Sequence, residues 1–491
     1  MHFLFNQSIK PVDLAGVNPN MTVLQWLRQN NHNGSKEGCA AGDCGACTAV
    51  VGELISTGSK VFIEYKSINT CIALVLNLVG KHLITVEGLA EGDKLHPVQQ
   101  AMVQANGSQC GFCTPGFVMS LFALYHNESS IDLDKINESL SGNLCRCTGY
   151  KPIINAAFLI FAKKSQCHED FYIKNNAKLI SSLQEINEIE NKPYCYTDKN
   201  KKIYYNSPTG IDQLASIFQK HPDAKLIAGG SDLGLDITQQ LKEFENIINI
   251  QNVAEMKTIE NNNEYIQIGA AVSYHSAWSV LVESFPELRS LLLRFASKPI
   301  RNWATIGGNI ANASPIGDMP PVLIALNSLV KLRKGSNVRK VNLQDFFVGY
   351  RETALKEGEF IESILVPKLS SNERLWVHKI SKRYEDDISA VCMAIKITTD
   401  DGVLIESRIA FGGMSDIPKR AKQLEKTIVS NWTHKDLVHK AYIALKEDFS
   451  PIDDVRATSE YRLQVSARLI EKTALNFSSI MVPNMAEIRH Y

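Results

Sequence analysis

Gly38-Cys39-Ala40-Ala41-Gly42-Asp43-Cys44-Gly45-Ala46-Cys47 sets three cysteines at C-x4-C-x2-C spacing, with Cys71 the next cysteine downstream. Three thiols in one short loop can face a common centre only if the backbone turns sharply. Gly38, Gly42 and Gly45 permit the positive φ that such a turn needs. The spacing is that of plant-type 2Fe–2S sites, whose fourth thiolate comes from elsewhere in the chain. Backbone N–H groups in a loop of this kind point at the negatively charged sulfurs. Thr48 to Val51 and Val61 to Tyr65 read as strands of a small β-rich domain around it. Zinc favours paired C-x2-C or Cys/His units, so a zinc site or inert buried thiols are the alternatives here.

A second group follows: Gln109-Cys110-Gly111-Phe112-Cys113-Thr114-Pro115-Gly116, then Asn143-Leu144-Cys145-Arg146-Cys147-Thr148-Gly149. It forms a C-x2-C and a C-x-C separated by 31 residues. The surroundings read as helices starting at His96-Pro97-Val98, over Phe117–Tyr125 and Ile131–Leu140, and over Ile153–Phe161 after Pro152. Two turns that each give two thiolates make a closed set for a second cluster. Zinc is a serious rival on spacing alone; the neighbouring first group favours iron–sulfur, because paired clusters make an electron wire. The two quartets differ in spacing and surroundings, so they are two domains divided near residue 90 and not a repeat.

The whole chain bounds these readings. It has 491 residues, which is a prior of three or four domains. Lys plus Arg and Asp plus Glu are both 52, so no global field draws it to nucleic acid or an anionic membrane. Hydrophobic residues at 44% and charged residues at 21% are ordinary globular values and exclude disordered, collagen-like and coiled-coil classes. The longest apolar run, Cys71 to Val79, is broken by Asn77 and far short of a membrane span. The N-terminus has no charged segment leading into an apolar one, so the expected address is cytoplasmic. Eight of the 11 cysteines lie between Cys39 and Cys147. In a reducing compartment that concentration argues for metal or redox chemistry over disulfides.

From Lys163 to Lys202 the sequence turns polar and mixed in charge, which reads as an exposed tether with a short helix. The remaining part, about 290 residues, alternates strand-like and helix-like segments. No G-x-G-x-x-G occurs in it, so a Rossmann dinucleotide domain is unsupported. Two glycine pairs remain: Lys225-Leu226-Ile227-Ala228-Gly229-Gly230-Ser231-Asp232-Leu233, and Thr305-Ile306-Gly307-Gly308-Asn309, with Ala313-Ser314-Pro315-Ile316-Gly317-Asp318 after it. Such turns expose N–H donors that suit a pyrophosphate, and ordinary tight turns are equally compatible. Lys382-Arg383-Tyr384-Glu385-Asp386-Asp387 is a charge run with a solvated loop as its usual meaning. The 12 histidines show no paired spacing and are assigned surface or structural roles. No catalytic residue is assigned.

Taken in order, C-x4-C-x2-C, Q-C-G-F-C-T-P-G, C-R-C-T-G-Y and the two glycine segments resemble the molybdenum hydroxylases. More closely, they resemble the small, iron–sulfur and flavin subunits of the bacterial xanthine dehydrogenase branch. The resemblance spans most of the chain, and it implies a multidomain α+β fold. Residues 1–89 would be a β-grasp, plant-type ferredoxin-like domain and 90–165 a four-helix 2Fe–2S domain. A linker at 166–202 would lead to an α/β FAD-binding domain at 203–370 and a small α+β C-terminal domain at 374–485. The resemblance implies that Cys39, Cys44, Cys47 and Cys71 hold one cluster and Cys110, Cys113, Cys145 and Cys147 the other. Gln109 matches a residue that approaches the molybdopterin of a partner subunit.

The same likeness assigns Leu226, Ile227, Ala228, Gly229, Gly230, Ser231, Asp232 and Leu233, with Thr305, Ile306, Gly307, Gly308 and Asn309, to loops enclosing the FAD pyrophosphate. Phe295, Asp318, Ile361 and Lys379 fall at positions lining the flavin. Glu385-Asp386-Asp387 resembles an acidic loop associated with NAD use, and Gly230 stands where relatives often have Asn. The molybdenum-binding portion of the family is absent from these residues. The implied role is therefore electron transfer from a large molybdenum-cofactor partner subunit, through two 2Fe–2S clusters and FAD, to NAD. The implied substrate is xanthine or hypoxanthine and the implied assembly α2β2, with no nucleic acid or membrane involved. The same role with an aldehyde or another N-heterocycle, and a non-catalytic electron-transfer adaptor, remain alternatives.

Overall fold

The computed structural model describes residues 1–58, 60–162, 164, 170–190, 192–198, 203–432 and 435–478. Two compact units contain the chain: Met1–Ala254 with Ala296–Ala304, and Glu255–Phe295 with Thr305 onward. Residues 203–254 and 296–304 fall in the first unit and the rest of 203–370 in the second.

The first unit starts with a five-stranded sheet in the spatial order Val12–Asp13, His2–Phe5, His82–Ile84, Thr48–Thr57, Lys60–Asn69. His2–Phe5 and His82–Ile84 pair in parallel, while Thr48–Thr57 and Lys60–Asn69 form an antiparallel hairpin. Alternation along a strand sends neighbouring side chains to opposite faces. Ala49 and Val51 pack with Val23, Trp26 and Leu27 of the helix Val23–Gln29. Val50 lies on the other face, in one core with Phe117 and Phe122. Both faces of this small sheet are therefore covered, which is why its strands read as apolar runs.

Four helices follow: Pro97–Gln104, Thr114–Asn127, Leu133–Leu140 and Lys151–Ala162. The first starts where the sequence says it should. His96 Nδ1 accepts from the Val98 N–H, Gln99 reaches back to the His96 N–H, and Pro97 occupies the first helical position.

The stretch expected as an exposed tether is built into the core. Phe171–Lys174 and Asn176–Glu190 are helices, and Tyr194–Asp198 pairs antiparallel with Ile203–Ser207. Leu179, Leu183 and Ile186 are buried with Leu4, Val50 and Tyr65. Their i, i+4, i+7 spacing gives a largely polar helix one apolar stripe. Positions 163, 165–169, 191 and 199–202 of that stretch, and 479–485 at the C-terminal end, lie outside the described residues. Ile203–Ser207, Asn246–Asn249 and Lys225–Ile227 then form a parallel ladder.

The second unit holds a five-stranded antiparallel sheet in the order Ile259–Asn261, Tyr265–Gly269, Phe360–Pro367, Leu329–Lys334, Asn337–Asn342. A four-stranded antiparallel sheet follows, from Glu373–Ile380 to Lys419–Arg420. The helices Lys422–Asn431, Leu437–Asp448 and Ser459–Phe477 bury Leu424, Leu445 and Ile470 in one core with Met393, Ile395 and Ile409 of that sheet. Among the described residues no helix is long and apolar enough to cross a membrane.

Candidate metal centres and flavin loops

The first cysteine loop wraps its own sulfurs. Ala40, Gly42 and Gly45 all have positive φ, and the N–H groups of Ala41, Asp43 and Cys44 each lie 3.3 Å from Cys39 Sγ. The Cys39 N–H donates to Cys44 Sγ at 3.4 Å. Gly38 has no room for a side chain, since a Cβ there would lie 2.7 Å from Cys44 Sγ. Asn69 donates to the Gly42 carbonyl (2.7 Å) and Thr70 to the Cys47 carbonyl (2.7 Å), tying the loop to the end of the hairpin that supplies Cys71. Cys39 contacts both Cys44 and Cys71 through sulfur, and Cys47 contacts Cys71. These neighbouring sulfurs, with the amides of Ala41 and Cys44, hold the Cys39 thiol far below its ordinary range. All four cysteines are free of disulfides. Converging sulfurs in a cage of amide donors fit an anionic metal–sulfur group.

The second set sits nearer the surface. Cys110 contacts Cys147 and Cys113 contacts Cys145. Cys110 and Cys147 are exposed, and Gln109 beside them is exposed too. Thr148 donates to Cys145 Sγ through its hydroxyl at 3.0 Å and its N–H at 3.4 Å. Burial raises the Cys145 thiol, yet those donors, with the Cys147 N–H and the Cys113 sulfur, outweigh it and the net direction is down. Burial pushes Cys113 up to about 12. The structure thus brings together all eight cysteines that the sequence singled out, in two sets of four.

The glycine segments are narrow backbone passages. In the first unit a Cβ at Gly229 would lie 1.8 Å from the Trp303 carbonyl oxygen, and one at Gly234 would lie 2.4 Å from that of Ile72. Gly230 has φ +72°, so an asparagine there would need the left-handed conformation. In the second unit Thr305 caps the helix Ile306–Ala311 by accepting from the Gly308 N–H, and a Cβ at Gly307 would meet Ala270 at 2.4 Å. Asn309 Oδ1 is buried with no hydrogen-bond partner among the described residues. An orphaned acceptor beside a glycine turn fits a missing polar group such as a flavin nucleotide.

Asp318 and Lys379 are both buried and paired at 2.6 Å. Ser389 donates to the other Asp318 oxygen at 2.5 Å, and Lys379 donates to the Arg294 carbonyl at 3.0 Å, next to Phe295. Ile361, on the strand Phe360–Pro367, is buried and not part of this hydrogen-bonded group. In the acidic run, Asp387 accepts from the Arg383 N–H at 2.8 Å and pairs with its guanidinium at 3.3 Å.

Sequence patterns did not reveal Gln239, whose amide donates to the carbonyls of Ala40 (2.9 Å) and Cys39 (3.3 Å), nor Ser389 and Arg294. Nor did spacing reveal that His96 and His126 converge on Asp170 Oδ2, at 3.0 and 3.1 Å. Because His96 Nδ1 accepts a backbone N–H, its Nε2 carries the proton and donates to Asp170. That is a structural hydrogen bond, and it leaves His96 no lone pair on Nε2 for a metal.

Four family models match in chain order: a 2Fe–2S iron–sulfur cluster binding domain over residues 8–76, a 2Fe–2S binding domain over 85–158, the FAD binding domain in molybdopterin dehydrogenase over 199–369, and the CO dehydrogenase flavoprotein C-terminal domain over 376–477. The chain is 33% identical to the xanthine dehydrogenase of Emericella nidulans, over 89% of this chain and 36% of that protein. It is 30% identical to the xanthine dehydrogenase of Oryza sativa subsp. japonica, over 87% and 36%. It thus spans about a third of the length of these curated relatives. A solved chain of carbon monoxide dehydrogenase from Hydrogenophaga pseudoflava is 25% identical, with a TM-score of 0.52, over 59% of this chain and 98% of that one.

Proposed function

We propose that this chain, which belongs to the molybdenum hydroxylase family as its iron–sulfur and flavin module, carries electrons from a molybdenum-cofactor partner that oxidises xanthine or hypoxanthine to the acceptor NAD. The observation that carries this reading is the pairing of two four-cysteine sets with an FAD-binding domain in one chain. When bound, the clusters exchange single electrons and the flavin exchanges two, so the chain can link a two-electron oxidation to a two-electron acceptor.

Cys39, Cys44, Cys47 and Cys71 would hold one cluster and Cys110, Cys113, Cys145 and Cys147 the second. The amides of Ala41, Asp43 and Cys44 aim dipoles at one sulfur, and N–H donors to sulfur favour added negative charge and so raise a cluster's potential. Leu226–Leu233 and Thr305–Asn309 would cradle the FAD pyrophosphate through backbone donors. Phe295, Asp318, Ile361 and Lys379 would line the ring. Asp318 fixes the Lys379 ammonium in a buried position, where its charge is little screened by salt. The acidic run Glu385-Asp386-Asp387 would face NAD, with Asp387 held by the Arg383 N–H and guanidinium. The partner is expected to be a separate large subunit in an α2β2 complex, working in the cytoplasm.

The likeness to carbon monoxide dehydrogenase supports a second reading, the same electron-transfer role beside a partner with another substrate. Anaerobic NADH added to the purified chain should bleach both its flavin and its iron–sulfur absorption. The partnered complex should then reduce NAD with xanthine. A complex that oxidises xanthine while this chain's clusters stay oxidised would overturn the proposal. Turnover with an aldehyde or another N-heterocycle, but not xanthine, would leave the role and change the substrate.

A further inference from the structure

The two cysteine loops touch, and one side chain governs the contact. Asn143 is buried, and its amide donates to the Gly45 carbonyl and the Thr48 hydroxyl, each at 3.1 Å. Its own carbonyl accepts from Ser120 Oγ at 2.5 Å, on the helix Thr114–Asn127 that Cys113 opens. Thr48 spends its hydroxyl proton on the Gly45 carbonyl (2.7 Å), so it is free to accept from Asn143. Every polar atom of the Asn143 amide group is thereby committed to holding the first loop against the second.

The backbone packing around it leaves no slack. A Cβ at Gly45 would lie 2.2 Å from the Gly142 carbonyl oxygen, and one at Gly116 would lie 2.1 Å from that of Gly45. A Cβ at Gly38 would lie 3.6 Å from the ring of Phe112, which stands between Cys110 and Cys113. The next residue after Asn143 completes the join: the Leu144 N–H donates to the Cys44 carbonyl at 3.0 Å. One hydrogen bond therefore links a cysteine of the first set to the residue bonded to Cys145 of the second.

We infer that Asn143 is a positioning residue that sets the electronic coupling between the two clusters, by fixing the Leu144–Cys44 hydrogen bond. This rests on the reading that both cysteine sets hold 2Fe–2S clusters. The step it serves is one electron leaving the second cluster, which is oxidised, and entering the first, which is reduced, with no proton or heavy atom transferred. The Leu144–Cys44 bond joins the two loops backbone to backbone, and Asn143, the residue before it, is anchored to the same loop at Gly45 and Thr48.

The test uses the full chain with Asn143→Ala and Ser120→Ala, reduced with dithionite and examined by low-temperature EPR beside iron analysis. Asn143→Ala should keep about four irons per chain and the separate g values of each cluster. The magnetic interaction between the reduced clusters should weaken, and freeze-quench electron equilibration between them should slow by about tenfold, the scale on which partners outside the ligand set act. Ser120→Ala, which leaves the loop packing in place, should show the same change at smaller size. If Asn143→Ala loses iron, the Ser120→Ala result decides. Full iron with unchanged coupling and unchanged equilibration would make the clamp purely structural and overturn the inference. A wild-type chain with zinc, or with only one cluster signal, would instead overturn the reading beneath it.

Discussion

The first cysteine loop is a cage of amides, whereas the second is a pair of turns open to solvent. In the first, Cys47 and Cys71 are buried and three backbone N–H groups converge on one sulfur. In the second, Cys110 and Cys147 are exposed, and Cys145 takes its shortest donor from the Thr148 hydroxyl at 3.0 Å. Phe112, Leu144 and Tyr150 stand around it with 49%, 49% and 37% exposure, an apolar rim unusual beside polar turns. Burial and exposure thus separate the two sets as sharply as their spacing does. On the proposed function, a relay centre inside the chain is best held by the backbone, and a centre that takes electrons from another molecule needs a surface.

The hardest blow to both sites at once is Gly45→Ala. The left-handed φ of +66° costs an alanine only about 1 kcal/mol, but the overlap with the Gly142 carbonyl cannot be relieved without parting the loops. Iron should fall from about four per chain toward none; retention of full iron would mean the loops are not interlocked. As a control in the other unit, Asp318→Ala leaves Lys379 buried without its counter-charge, at about 3–5 kcal/mol. Thermal unfolding should shift down and FAD be lost while both sets keep their iron. Loss of iron there would show that the flavin region and the loops fail together.

Acid acts more gently, through the sheet of the first unit. His82 is fully buried in the first sheet, opposite Gly52 on the neighbouring strand, and burial holds its ring down to about 4 although the Asn6 carbonyl lies 2.7 Å away. The unfolded chain takes up that proton near 6.5, so stability from the neutral ring is complete above that pH and declines as pH falls toward 4. By pH 5 the loss is about 2 kcal/mol, and His82→Gln should flatten it in denaturant titrations at pH 7.5 and 5. The smallest effect is Thr148→Ala. Loss of one hydrogen bond worth about 1 kcal/mol should lower the second cluster's potential by a few tens of millivolts. EPR-monitored redox titration should show the first cluster unmoved.

What sequence made visible is what chemistry confines to a few neighbouring residues. The cysteine spacings, the cap at His96-Pro97 and the four helices around the second set depend on local turns and periodicity, and all are present in the fold. The helix Asn176–Glu190 was obscured because its polar face dominates its composition, although Leu179, Leu183 and Ile186 carry the stripe that buries it. Asn143 and Gln239 were invisible for another reason: each acts on a loop some hundred or more residues away, and an amide side chain has no spacing signature. Chain order also hid the division of the flavin region, since Ala296–Ala304 returns to the first unit.

The most direct measurement is iron, zinc, molybdenum and FAD content, with a visible spectrum, of this chain purified alone. About four irons and one FAD per chain, no molybdenum, and the absorption of two 2Fe–2S clusters are expected. Bound zinc without flavin would contradict it.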